Sequence, residues 1–302
     1  MQKAHKYVFE MSRDRLGMWL GLLGVAGFSV TLPATRMAVA HLDPTLVGLG
    51  RSLLAGGLAA ALLLYMRQPL PSRAQIRSLL ITAAGVIVGF PLLSSWAMRQ
   101  LPAAHGAIVV AILPMFTAIA GAIRMRERPS AGFWLASLAG TVMVLVFMVF
   151  SGAGSLQWAD AMLILASLLA AVGYAEGGRL AKVMGGWQVI CWALVLAAPF
   201  LILPVTLAIY NHGVDAPMAS WLGFLYVSVI SQFLAFVFWY QGMAMGGVVR
   251  VSQVQLLQPF MSLLVAAVLL GEQITPTMLG FAAAVVITIA VGRRMPIAQL
   301  AR

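Results

Sequence analysis

Charged residues are scarce in this chain. Asp, Glu, Lys and Arg together make up 9% of the 302 residues, whereas hydrophobic residues make up 62%. A water-soluble domain carries roughly 25% charged residues, so this composition excludes a soluble globular protein and indicates an integral membrane protein. A membrane-spanning helix needs about 20 apolar residues, and the chain therefore has room for about ten such helices joined by short loops.

Cysteine, acidic residues and histidine are also rare. The single cysteine, Cys191, excludes an internal disulfide. The eight acids and four histidines are spread along the chain without a metal-ligand cluster or an acid–base pair, which argues against the alternative of a membrane-embedded transferase. No Walker motif is present, so the chain is not expected to hydrolyse nucleotides. We expect no enzymatic activity, no cofactor and no metal ion.

Ten apolar segments are each long enough to cross a bilayer. They cover residues 17–38, 45–66, 74–97, 102–124, 131–150, 158–178, 187–210, 219–242, 247–270 and 276–293. In lipid, each segment must satisfy its own backbone hydrogen bonds, and this requires α-helices. The expected fold is an all-α polytopic membrane protein with ten transmembrane helices, called spans 1 to 10 below.

An internal repeat divides these ten spans into two sets of five. Residues 105–127 and 250–272 share one pattern, an apolar run in which a glutamate follows a proline after 13 residues. The matching pairs are Pro114 with Pro259 and Glu127 with Glu272, both at an offset of 145 residues (259−114 and 272−127). Self-similarity at a fixed offset indicates duplication. We place the first repeat at 1–152 and the second at 153–302.

Five spans in each repeat imply inverted halves. Because five is odd, the second half enters the membrane in the opposite orientation to the first, as in many secondary transporters. With the N-terminus in the cytoplasm, 16 of the 19 Lys and Arg residues fall on the inner side, in agreement with the positive-inside rule. The cations thus mark topology, and no basic patch suggests nucleic acid binding. Arg36 and Arg51 fall near outer span ends, where we expect interfacial anchoring or, alternatively, an outer-gate role.

Three short motifs accompany the repeat. Span 1 contains FSVTLPATRMAV, span 2 contains RSLLAGG, and spans 4 and 9 contain LLP…RE and LQP…GE. With these features the chain resembles ten-helix, EamA-type members of the drug/metabolite transporter superfamily, and its length and layout are similar to those of the aromatic amino acid exporters among them.

The resemblance implies a multi-pass transporter of the bacterial inner membrane with both termini in the cytoplasm. Its function would be the export of small metabolites, above all amino acids, by alternating access through a central cavity between the repeats. A multidrug or a nucleoside/purine exporter of the same fold is the alternative that the resemblance leaves open. The expected partners are the small-molecule substrate and the lipid bilayer, in a monomer or a homodimer.

Polar and aromatic side chains inside the spans are the candidates for substrate binding, because polar groups at membrane depth are costly. The candidate residues are Gln255, Gln258, Gln232, Ser94, Ser95, Thr31, Trp239, Trp96 and Tyr174. Each has a structural alternative: hydrogen bonding between helices for the Gln, Ser and Thr residues, an interfacial position for the tryptophans, and core packing for Tyr174.

Prolines and one acid complete the set of candidates. Proline removes a helical N–H donor, so Pro33, Pro91, Pro114 and Pro259 are expected to kink their spans around the cavity. Glu176 is the acid nearest to a membrane interior and is a candidate for proton coupling. A plain ion pair with Arg179, three residues further on, is the alternative that we favour.

Overall fold

The computed structural model describes residues 2–150, 157–270 and 276–299. In these ranges every predicted span is helical. The first half contains α1 (Gln2–Ser29), α2 (Thr31–Val39), a π-helical turn (Leu46–Gly50), α3 (Arg51–Tyr65), α4 (Arg73–Ala83), a second π-helical segment (Ala84–Gly89), α5 (Phe90–Gln100), α6 (Ala103–Val110), α7 (Leu113–Met125), the strand β1 (Glu127–Pro129) and α8 (Ala131–Phe150).

The second half has a similar order. It contains α9 (Trp158–Met184), α10 (Gly186–His212), α11 (Met218–Leu225), a π-helical segment (Tyr226–Leu234), α12 (Ala235–Gly246), α13 (Val248–Ser252), a 3₁₀ segment (Gln253–Leu257), α14 (Gln258–Leu270), α15 (Pro276–Arg294) and the strand β2 (Ile297–Gln299). Six stretches of the described residues form helices that are long and apolar enough to cross a membrane, and shorter apolar stretches lie at Leu113–Met125, Ala131–Met143 and Ala283–Gly292.

The packing of the spans follows the repeat. Span 1 packs against span 8 through α1 and α12, and the equivalent pair, spans 6 and 3, packs through α9 and α5. In the same way, the contact of span 4 with span 6 has its counterpart in the contact of span 9 with span 1. Spans 2 and 7 pack on each other, as do spans 5 and 10. Exchanging the halves maps the first two contacts onto their counterparts and maps the pairs 2–7 and 5–10 onto themselves, as expected for two repeats related by a twofold axis.

Irregular helix geometry also recurs in both halves. Span 3 carries the π-helical segment Ala84–Gly89, and span 8, its equivalent in the second half, carries Tyr226–Leu234. Span 4 is interrupted between α6 and α7, and span 9 narrows to the 3₁₀ segment Gln253–Leu257 just before Pro259. Where a helix departs from α-helical geometry, some backbone N–H and C=O groups lose their usual hydrogen bonds. Such segments are often found at functional sites.

Side chains from neighbouring spans bond to the carbonyls that two of the prolines leave without their usual donor. Pro33 cannot donate to the carbonyl of Ser29, and the hydroxyl of Ser262 donates to it at 2.6 Å. Pro91 likewise has no N–H for Ile87, whose carbonyl accepts from the hydroxyl of Ser52 at 2.8 Å. At each of these two prolines, a side-chain hydrogen bond thus joins one span to another and satisfies the carbonyl that the proline leaves without a donor.

We expect Ser52→Ala to lower stability by about 1 kcal/mol, because a buried carbonyl loses its side-chain donor. Ser95→Ala is the matched control, since the Ser95 hydroxyl is equally buried and has no hydrogen-bond partner. Thermal unfolding of both variants in the same detergent measures the difference. A Ser95→Ala variant as destabilised as Ser52→Ala would show that the Ser52 hydrogen bond is not the cause.

A short β-ladder closes one end of the bundle. Strand β1 pairs antiparallel with β2, with Glu127 opposite Gln299, so the segment after span 4 joins the segment after span 10. Glu127 is buried there, and this burial raises the pKa of its carboxyl, while the charges of Lys182 and Arg250 act in the opposite direction. Its repeat equivalent, Glu272, lies outside the described residues.

Candidate functional site

A small cavity lies between the two halves at the centre of the bundle. Residues from seven spans line it, namely spans 1, 2, 3, 4, 6, 8 and 9, and among the described residues none from spans 5, 7 or 10 does. The space open to water is about 20 Å³, close to what a single water molecule needs. Its polar lining residues are Thr31, Arg51, Tyr174, Ser231 and Gln258.

A second, smaller cavity adjoins the first. The two share Leu32, Leu113 and Gln258, and the second adds Gln255 and Pro259 from the interrupted part of span 9. The cavities therefore lie on either side of the same three side chains, along the boundary between the first half and span 9.

Four aromatic rings form one wall of the first cavity. Phe28 of span 1 contacts Phe236 of span 8 with ring centroids 5.0 Å apart. Tyr174 of span 6 lies 5.9 Å from Phe236 and 5.5 Å from Trp239. All four side chains are buried, and Phe28, Tyr174 and Phe236 face the cavity directly. Aromatic rings in edge-to-face contact give a rigid apolar surface against which a flat or apolar ligand can pack.

Arg51 is the charged group of this cavity. Its side chain is only 1% exposed, and its Nε donates to Oε1 of Gln232 at 2.9 Å. Gln232 is fixed in turn, because its Nε2 donates to the carbonyl of Val86 at 3.0 Å. Nη1 of Arg51 is buried without a hydrogen-bond partner, and none of the described salt bridges includes Arg51. A buried guanidinium thus faces the cavity, and within the described ranges its only side-chain hydrogen-bond partner is a neutral amide.

The expectation that Arg51 anchors its span at the interface is wrong. The helical part of span 2 begins at Leu46, so Arg51 lies five residues inside it, where its side chain points into the bundle. The apolar residues on both sides of Arg51 are the sequence signal that could have placed it at membrane depth. Arg36 differs, since its exposed side chain donates to the carbonyls of Met98 and Arg99 at the end of α5.

Four of the nine predicted substrate-binding residues line the two cavities, and two others contact residues that do. Thr31, Tyr174 and Gln258 line the first, Gln255 and Gln258 line the second, and Gln232 holds Arg51. Thr31 shares a hydrogen bond of 2.8 Å with Ser231, which joins spans 1 and 8 beside the cavity. Trp239 is fully buried behind Tyr174 as part of the aromatic wall.

Gln232 and Trp239 contact lining residues without lining a cavity themselves. The other three predicted residues, all on α5, line neither cavity. The Ser94 hydroxyl donates to the carbonyl of Pro91 in its own helix at 3.2 Å, and the buried Ser95 hydroxyl has no partner. Trp96 is 41% exposed on the outer surface of the bundle, as expected for an interfacial tryptophan. These side chains therefore bond within their helix, pack in the core or face outwards.

Ion pairs join the spans at the end of the bundle that the charge pattern places in the cytoplasm. Glu176 of span 6 pairs with Arg124 of span 4 and with Arg179, the latter at 2.6 Å, and Arg179 also donates to Ser78 of span 3. Arg250 of span 9 pairs with Asp14 of span 1 at 2.9 Å. Both oxygens of Glu176 are thus engaged by arginines, an arrangement typical of a structural ion pair.

Comparison with known proteins identifies the family. The EamA-like transporter family matches the chain twice, over residues 15–149 and over residues 157–292. The chain belongs to the EamA-like transporter family. One match falls within each of the two five-helix halves, and together they confirm the resemblance that the sequence motifs indicated.

Two relatives and one solved structure resemble this EamA-like transporter closely enough to compare. The uncharacterized transporter YdeK of Bacillus subtilis (strain 168) is 41% identical over 285 residues, which are 94% of this chain and 99% of YdeK. A probable terminal-alkyne amino-acid exporter of Streptantibioticus cattleyicolor is 24% identical over 262 residues, covering 84% of this chain and 86% of that protein. A crystal structure with 18% identity aligns with 92% of this chain and 98% of its own at a TM-score of 0.74, which shows the shared fold.

Proposed function

We propose that this EamA-like transporter exports small metabolites, above all amino acids, by alternating access through the central cavity. The observation that carries the proposal is the composition of that cavity, where Thr31 and Arg51 of the first half meet Tyr174, Ser231 and Gln258 of the second. A site shared by two inverted repeats is the arrangement from which alternating access operates. The similarity to a protein named as a probable amino-acid exporter supports the choice of substrate.

The small volume of the cavity fits a carrier rather than a channel. About 20 Å³ is open to water, so an amino acid can bind only if the surrounding spans move apart. The ion pairs of Glu176 and Arg250 join spans at one end of the pathway, and their separation would open that end. The interrupted helices beside Pro33, Pro91, Pro114 and Pro259 are places where the spans can bend.

The transporter is expected to act in the bacterial inner membrane with both termini in the cytoplasm. The excess of Lys and Arg in the loops on that side supports this orientation. The sequence contains no Walker motif for ATP hydrolysis. We therefore propose that export is driven by the substrate gradient itself or by a proton.

Purified protein in liposomes tests the proposal. We expect labelled aromatic or aliphatic amino acids to exchange across the membrane, and Gln258→Ala to reduce this exchange at least tenfold because Gln258 lines both cavities. Gln68→Ala in the loop after span 2 is the control and should exchange at the wild-type rate. Movement of cationic dyes or nucleosides without amino acids would favour a multidrug or nucleoside exporter instead.

The same liposomes with an imposed pH gradient test coupling. If Glu176 only pairs with Arg124 and Arg179, exchange by the Glu176→Gln variant keeps the wild-type response to the gradient. A response that is present in the wild type and lost in Glu176→Gln would assign the coupling proton to Glu176.

A further inference from the structure

The guanidinium of Arg51 is buried at the first cavity, and its Nη1 has no hydrogen-bond partner among the described residues. We propose that Arg51 binds the carboxylate of the substrate, so that the transporter selects small organic acids with an apolar or aromatic body, amino acids among them. This inference rests on the proposed function and narrows it, because it excludes amines, cationic dyes and uncharged nucleosides as substrates.

The first step of the argument is the cost of a buried charge. Taking an ion out of water is unfavourable unless hydrogen bonds or an opposite charge replace the water. Arg51 is 1% exposed, yet its only hydrogen bond to the part of the chain that the structure describes is the one that Nε donates to Gln232. The guanidinium carries five N–H donors, and the remaining ones are available to a ligand that enters the cavity.

The second step is a comparison with arginines whose role is structural. Arg36 donates to two backbone carbonyls at the end of α5, and Arg179 donates to Glu176 and Ser78. These arginines are satisfied by the protein and join spans together. Arg51 is more deeply buried than either, but among the described residues its hydrogen-bond partner is the neutral amide of Gln232.

The third step is the charge of the cavity. Arg51 is the only charged residue among those that line the first cavity, and the second cavity is lined by uncharged residues. A carboxylate matches a guanidinium in charge and in its planar, two-pronged geometry. A cation would instead enter a low-dielectric space that already holds a positive charge, which is unfavourable.

The last step concerns the rest of the ligand. Phe28, Tyr174 and Phe236 face the same cavity as Arg51, so a molecule whose carboxylate contacts the guanidinium can place an apolar or aromatic side chain against the rings. The amide of Gln258 and the hydroxyls of Thr31 and Ser231 also line this space, and their oxygens can accept hydrogen bonds from an amino group.

Thermal stability of the full-length protein in detergent provides the test. The probes are L-phenylalanine, phenylpropionate, L-phenylalanine amide, phenethylamine and inorganic phosphate. We expect the two carboxylates to raise the melting temperature of the wild type and the amide, the amine and phosphate to leave it unchanged. Arg51→Gln should lose the response to carboxylates, a weakening of at least tenfold in apparent affinity. Arg51→Lys should keep a weakened preference for acid over amide, since lysine is a cation without the planar fork.

Arg77→Gln, an exposed arginine of α4, is the matched control and should respond as the wild type does. Equal stabilisation by acid and amide, no response to either carboxylate, or an unchanged response of Arg51→Gln would overturn the inference. If Arg51→Gln does not fold, the acid-against-amide comparison on the wild type and on Arg51→Lys decides alone.

Flux measurements separate this inference from the proposed function. If carboxylates bind in a manner that depends on Arg51 but no probe crosses the liposome membrane, the proposed transport function is contradicted and the carboxylate site is supported. If phenethylamine or phenylalanine amide is transported as fast as L-phenylalanine, the transport function is supported and the proposed role of Arg51 is contradicted.

Discussion

Replacing Gln232 with Glu is expected to abolish transport. The substitution puts a carboxylate where the Gln232 amide oxygen now lies, 2.9 Å from Nε of Arg51. The guanidinium would then face a full negative charge in place of a neutral amide oxygen, and this attraction is strong in a low-dielectric space. The new carboxylate would occupy the guanidinium permanently and compete with the substrate from within the protein. We expect exchange to fall at least a hundredfold, whereas the gain in charge attraction is offset by the loss of the hydrogen bond that Gln232 Nε2 donates to the carbonyl of Val86.

The double variant Arg51→Gln, Gln232→Glu is the control for this prediction. It keeps the new carboxylate but removes its partner, so an acid is left buried and unpaired, and stability should fall below that of either single variant. Melting temperatures of the four proteins in the cycle give the coupling between the two positions. A Gln232→Glu protein that transports at the wild-type rate would mean that Arg51 does not contact the substrate.

Much of the fold could be predicted because it depends on local features of the sequence. The apolar segments are long enough to cross a bilayer, and lipid requires them to be helices. The Pro-to-Glu spacing, repeated at an offset of 145 residues (259−114), marks the duplication. Prolines act on the carbonyl one turn earlier, and spans 1, 3, 4 and 9 are interrupted near Pro33, Pro91, Pro114 and Pro259. Proline alone does not decide an interruption, since Pro199 and Pro204 lie inside the continuous helix α10.

The candidate site was predicted only in part, because the sequence does not show which side of a helix each residue faces when the helix is irregular. A π-helical turn contains more residues than an α-helical turn, so it rotates the faces of the residues that follow. The segment Ala84–Gly89 precedes α5, so the side of the span that Ser94, Ser95 and Trp96 occupy cannot be found by counting residues along a regular α-helix. In span 9 the 3₁₀ segment has three residues per turn, which keeps Gln255 and Gln258 in line, and both lie at the second cavity.

Arg51 could not be assigned from its position alone, since an arginine near a span end usually reaches the interface. What distinguishes it is the set of side chains around it, which come from distant parts of the sequence: Gln232 is 181 residues away. The functional meaning of a buried charge depends on such long-range contacts. Composition and spacing predict the architecture, whereas the chemistry of the cavity requires the packing of the spans.

The second large effect concerns access to the cavity from both sides of the membrane. Leu113 lines both cavities and is 2% exposed, so a thiol at this position reports on the pathway. Cys191 is the only native cysteine and is buried among apolar side chains. A Cys191→Ala protein therefore provides a background in which Leu113→Cys is the only thiol. Leu79→Cys, at a fully buried position outside the cavities, is the control and should stay unreactive.

Labelling of Leu113→Cys with a membrane-impermeant thiol reagent, applied to sealed vesicles of each orientation, tests the central claim most directly. Two inverted halves that open the cavity to one side and then to the other predict labelling in both preparations, slowed in both by saturating substrate. Labelling from one side only, with substrate and without it, would contradict alternating access through this cavity.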